Sequence, residues 1–176
     1  MMNGIQAIET FYRGHMFRSR LEARWAKLFS ELGIDWTYET EGYNVSLQDG
    51  TYVRYLPDFV LHGGSIRCPD PLYVEVKGEM KAEDAIKIRA FSNYRPIYVV
   101  GAIPENIDEI VNGIDTGYRV PYYNFETVDG DYFGAVLGAA KCGGWGLFGA
   151  DSTYWREMDE TKTRQAYALA RMARFE

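Results

Sequence analysis

Two carboxylates and one ammonium are spaced so that a β-sheet could gather them at one edge. In "LYVEVKGEM" (72–80) Glu75 and Lys77 lie two positions apart in a strand-like run. Side chains at i and i+2 of a strand share a face, so Tyr73, Glu75 and Lys77 point one way, and Leu72, Val74 and Val76 the other. Asp58 sits upstream in "YLPDF", directly after Pro57, whose missing N–H marks an edge or a bend. If the two strands are antiparallel neighbours, Asp58 comes to rest beside Glu75. Two carboxylates that close raise a pKa. A hard divalent cation removes the conflict, since Mg²⁺ is typically held by one or two carboxylates with carbonyls and waters. The backbone carbonyl of Val76 is a further candidate ligand, and Lys77 would contact a metal-bound water or a phosphate oxygen.

Glu22 is the next acid to weigh. On a predicted helix it shares a side with Trp25, Ala26 and Phe29. Burying a carboxylate without a partner costs several kcal/mol. A second metal, or a water bound to the first, would supply one, and pairing with Arg18 at i−4 is the plainer alternative.

The elements that must position these groups follow from periodicity. Phe17, Leu21, Trp25, Leu28 and Leu32 step by three or four and predict an amphipathic helix ending at Gly33. "DWTYETEGYNVSL" and "TYVRYLPDFVL" read as two extended runs joined by a hairpin turn at Asp49-Gly50. A Gly/Pro-rich loop (63–71) leads into the Glu75 strand. "EMKAEDAIKIRAFSNY" predicts a second helix packing through Ala85, Ile88 and Phe91, or through Ala82, Ala85 and Ile86. "PIYVVGAI" is continuously apolar and suits a buried, parallel strand. Beyond Pro104, "VPYYNFETVDGDYFGAVL" predicts a hairpin turning at Asp129-Gly130. Residues 134–149, with six glycines, read as irregular backbone. Residues 152–175 predict a closing helix capped by Asp151 or Ser152.

With the elements in this order, Glu22 on an initial helix, Pro57-Asp58 and Glu75-Val76-Lys77 together resemble the PD-(D/E)XK nuclease superfamily. The likeness covers about residues 15–103. The pattern "FRSRLEARWA…LGI…Y…EGY…YLPDFVL…YVEVKGE" is similar to small nuclease-like proteins of bacteriophages and their bacterial hosts. The resemblance implies a restriction-endonuclease-like αβββαβ core with a mixed central sheet flanked by helices. Residues 1–104 would form this core, and 105–176 a C-terminal extension of hairpin, Gly-rich segment and closing helix packed on it. It implies hydrolysis of DNA phosphodiesters, with Asp58 and Glu75 binding Mg²⁺ or Mn²⁺ and Lys77 orienting or activating the attacking water. Glu22 would serve a second metal or its water shell. The alternative is a nuclease-fold protein acting as a non-catalytic nucleic-acid-binding or protein-interaction module.

Composition bounds the remainder. The 176 residues are 47% hydrophobic and 25% charged, as in folded soluble domains. No apolar run reaches membrane-spanning length and no signal-peptide layout opens the chain, so a cytoplasmic protein without membrane contact is expected. The net charge of −6 argues against broad coating of nucleic acid, yet residues 13–27 hold five bases against one acid. Arg18, Arg20 and Arg24 there, with Lys81 and Lys87 on the second helix, are the candidate nucleic-acid contacts. A solvated helix face is the plain reading of each group, and Glu39 and Glu41, alternating on a strand, are likewise read as solvated. The isolated Cys68 and Cys142 predict no structural zinc and no disulfide framework. A homodimer is compatible with cutting two strands.

Overall fold

The structure, a computed structural model, describes residues 7–65, 68, 70–108, 110, 124–126, 132–149 and 156–175. Its elements are β1 (Thr10–Tyr12), β2 (His15–Phe17), α1 (Arg20–Leu32), β3 (Asp35–Tyr38), β4 (Tyr43–Ser46), β5 (Tyr52–Tyr55), β6 (Phe59–His62) and β7 (Leu72–Val76). There follow α2 (Ala82–Ser92), β8 (Ile97–Val100), β9 (Asn124–Glu126), β10 (Tyr132–Ala139), β11 (Trp145–Gly149) and α3 (Glu160–Met172). Seven strands form one mixed sheet in the order β11-β10-β9-β8-β7-β6-β3. Only the β7–β8 pair is parallel, bridged by α2; the other pairs are antiparallel.

Each predicted extended run divides in two. The first turns aside at Glu39, whose φ is 46°, and the second breaks before Pro57. β3 and β6 therefore pair within the main sheet, with Tyr38 opposite Phe59. β4 and β5 form a separate hairpin around the predicted Asp49-Gly50 turn, where Asp49 accepts from the Thr51 N–H. Helix α1, three main-sheet strands (β3, β6, β7), α2 and β8 thus follow one another with that hairpin inserted.

Layering explains why all five β7 residues are buried. Leu72, Val74 and Val76 enter the larger core with Trp25, Phe29 and Phe59, while Tyr73 enters a second core with Ile88, Phe91 and Tyr55. Helix α1 begins at Arg20 because Ser19 caps it, its hydroxyl accepting from the Glu22 N–H. Phe17 belongs to β2 and reaches the core from there. In α2, Ile88 and Phe91 are buried as predicted, but Ala85 and Ile86 are exposed. The first turns of α2 bury no residue.

The Gly-rich stretch 134–149 is regular, contrary to expectation. β10 and β11 pair from Ala135 opposite Gly149 to Ala139 opposite Trp145. Consecutive residues are buried, Ala135, Val136 and Leu137 on β10 and Trp145, Leu147 and Phe148 on β11, so both faces of this pair are covered and no polar alternation marks the strands. Gly138 lets α3 approach: a Cβ there would lie 2.8 Å from Thr163 Oγ1 and 3.0 Å from Met158 Sδ. The closing helix starts at Glu160, capped by Asp159, which accepts from the Lys162 N–H, so the cap lies later than predicted. Asp151 and Ser152, and the predicted turn at Asp129-Gly130, lie outside the described residues; β9 and β10 pair antiparallel. The segment after residue 104 extends the sheet beyond β8, and α3 packs on α1.

Candidate functional site

β6 and β7 pair with Phe59 opposite Val74, so one step beyond that register Asp58 falls opposite Glu75. Both carboxylates are buried, Asp58 at 1% and Glu75 at 3% exposure. Asp58 Oδ2 accepts from the Val76 N–H at 2.7 Å, while Oδ1 takes the Arg18 guanidinium. Glu75 Oε2 accepts from the Tyr55 hydroxyl at 2.6 Å, and Oε1 pairs with Lys77 Nζ at 2.8 Å. Each carboxylate therefore has one oxygen fixed by a neutral, buried donor and the other held by a side-chain cation.

The electrostatics reflect this crowding. Burial first, then the charge of Glu75, holds the Asp58 carboxyl well above the usual carboxylate range; Glu22 adds to the rise, and the Val76 N–H and Arg18 oppose it. Burial likewise raises Glu75, against Lys77 and the Tyr55 hydroxyl. At Lys77 burial works to lower the pKa, but Glu75, Asp58 and Asp84 together lift it above the ordinary lysine value. Asp84, in the first turn of α2, lies 3.7 Å from Lys77 Nζ.

Glu22 is buried too, but its oxygens are engaged at the start of α1. Oε2 accepts from the Tyr38 hydroxyl at 2.6 Å and the Arg18 N–H at 3.1 Å, and Oε1 from the Ser19 hydroxyl at 2.9 Å. This is a relative of the capping box, in which the residue at the third helical position reaches back over the terminus. Its contact with Arg18 is to the backbone, while the guanidinium goes to Asp58 and to Glu39, at 2.7 Å. Glu39 is thus an ion-pair partner inside the constellation instead of a solvated acid.

Of the candidate nucleic-acid contacts, Arg18 alone enters the site. Arg20 and Lys81 are exposed, and Arg24 and Lys87 half-buried; Arg24 Nε is buried without a hydrogen-bond partner among the described residues. Val76 enters through its amide. Sequence reasoning missed Tyr55, Tyr38, Asp84 and the Arg18–Asp58 pair. "ETEGYNVS" could have flagged the break between β3 and β4, but no local pattern marks which tyrosine meets which carboxylate.

Among the described residues no group of three or more His, Cys, Asp or Glu side chains is arranged to hold a metal ion. The donor set nonetheless suits a hard cation, for which one or two carboxylates completed by waters suffice. Asp58 Oδ1 and Glu75 Oε1 are the two oxygens held by side-chain cations. No described helix is long and apolar enough to cross a membrane. Cys68 and Cys142 are free thiols; burial, then Asp70, pushes the Cys68 thiol up to about 12. In comparisons with known proteins, the chain matches no family model, no curated protein and no solved structure.

Proposed function

We propose that the chain is a metal-dependent nuclease that hydrolyses phosphodiester bonds of DNA, built on a restriction-endonuclease-like core of the PD-(D/E)XK kind. The observation that carries this reading is the buried Asp58–Glu75 pair, with one oxygen of each carboxylate fixed by a neutral donor and Lys77 beside it. Burying two adjacent acids destabilises a fold unless cations compensate them, and here the compensating Arg18 and Lys77 each hold an oxygen that a divalent cation could take instead. Asp58 and Glu75 would hold Mg²⁺ or Mn²⁺. When bound, the ion supplies a Lewis acid that activates water and offsets negative charge on the phosphate.

The protein's own groups do the remainder. The Val76 N–H and the Tyr55 hydroxyl fix the two carboxylates before any ligand arrives, which removes reorganisation from the reaction. Lys77, held between Glu75 and Asp84, presents an ammonium to the attacking water or to a phosphate oxygen. The order of helix, antiparallel strands, helix and parallel strand supports the core assignment, and the basic stretch 13–27 supports a polyanionic substrate.

The test is incubation of the purified chain with circular and linear DNA in Mg²⁺ or Mn²⁺. Cleavage is expected, with a loss of about a hundredfold or more in Asp58→Ala and in Lys77→Ala. Undiminished cleavage in both variants contradicts the assignment. DNA binding without hydrolysis under any metal assigns the chain instead to the non-catalytic class.

A further inference from the structure

Asp58 is held unequally at its two oxygens. The Val76 N–H on Oδ2 is buried backbone, whereas Arg18 on Oδ1 comes from a side chain that is 58% exposed. The Arg18 backbone is pinned, its N–H shared between Glu22 and the Tyr38 hydroxyl, so the side chain can swing without disturbing α1. Glu39, at 2.7 Å from the same Nη2, offers the guanidinium a second acceptor after it leaves Asp58. A guanidinium does not surrender its proton in a protein. It cannot share Asp58 Oδ1 with a divalent cation by becoming neutral; it must move. We propose that Arg18 is the internal counter-ion of the site, holding Asp58 Oδ1 until a divalent cation takes that oxygen and then turning to a phosphate of the substrate.

This rests on the reading of Asp58 and Glu75 as metal ligands and adds a role for a residue outside that ligand set. The exchange keeps charge nearly balanced, because the incoming ion compensates the carboxylates that Arg18 and Lys77 compensate before it. The released guanidinium then faces a substrate whose phosphate oxygens it can grip in bidentate fashion. The buried Asp58 is never left unpaired, because the cation takes Oδ1 as the guanidinium leaves, and Arg18, 58% exposed, has solvent to turn into without rearrangement of the core.

Mn²⁺ titration of the full chain without nucleic acid tests the exchange. Arg18→Met is expected to bind Mn²⁺ about tenfold tighter than the parent, as removal of a competing occupant requires. Arg20→Met, an exposed charge two residues along the chain, is expected to change affinity by less than about twofold. Asp58→Asn is expected to lose binding. An Arg18→Met affinity equal to or weaker than the parent's, or an equal gain in Arg20→Met, overturns the proposal. If Asp58→Asn still loses binding in that case, the metal site itself stands. Absence of Mn²⁺ binding in parent and Arg18→Met alike overturns both. For a readout free of mutation, the Arg18 Nε–Hε NMR signal of the parent should shift on Mg²⁺ addition while that of Arg20 stays. An unmoved Arg18 signal at saturating Mg²⁺ contradicts the exchange.

Discussion

Asp58 and Glu75 are the groups through which pH should act on the stability of the fold. Both carboxyls are raised by burial, Asp58 further by Glu75 and Glu22, against Arg18, Lys77, the Val76 N–H and the Tyr55 hydroxyl. A folded-state pKa above the unfolded value means that the fold binds the proton more tightly. The resulting stability is present below the ordinary carboxylate range and is lost as pH rises through the raised values. The urea midpoint of the parent, relative to that of Asp58→Asn, should therefore fall as pH rises above the ordinary carboxylate range; a constant difference contradicts the raised pKa. Tyr55→Phe would leave Glu75 Oε2 buried without its donor, at an expected cost of about 1–3 kcal/mol in denaturant unfolding, with weakened Mn²⁺ binding. At this scale Asp58, Glu75 and Lys77 were legible because strand periodicity and Pro57 place them. Tyr55, Asp84 and Arg18 were not, because their contacts join segments 20, 7 and 40 positions apart and follow from packing.

The start of α1 couples an element to the site. Ser19 caps the helix, Glu22 returns to the Ser19 hydroxyl and the Arg18 N–H, and the same Arg18 reaches Asp58. Ser19→Ala should cost about 1 kcal/mol, as loss of an N-cap does. It should also loosen Arg18, which a Mn²⁺ titration would register as tighter binding. At the opposite edge, Gly138→Ala would press a methyl against Thr163 and Met158. A loss of about 1–3 kcal/mol in urea unfolding is expected, as for overpacking, with Mn²⁺ affinity unchanged. Helix α1, α2 and the β8 strand were readable from period and apolar runs. β10 and β11 were not, since both faces are buried and small residues among glycines leave no polar–apolar alternation to read. The later start of α3 escaped for a related reason: several residues beyond 150 are compatible with a cap, and only packing against β10 selects Asp159.

In the whole molecule the sheet and its two cores join the ends of the chain. Tyr98 on β8 donates to the Ala135 carbonyl at 2.7 Å, and Trp25 on α1 meets Tyr167 on α3 at 6.3 Å between ring centroids. A chain cut after residue 104 would expose the β8 edge and the α3-facing side of α1, both apolar. Such a truncation should be aggregated or unfolded by circular dichroism and size-exclusion chromatography; a soluble, cooperatively folding 1–104 fragment would contradict this. The sequence divides at 104 because its strongest patterns end there, whereas the sheet continues through weaker ones. Asp58 and Glu75 are proposed to form a divalent-cation site. Crystals grown or soaked in Mn²⁺ and measured for anomalous scattering test it most directly. A peak touching Asp58 and Glu75, with Arg18 turned away from Asp58, is the predicted result. Saturating Mn²⁺ with no peak there, and Arg18 still seated on Asp58, would contradict it.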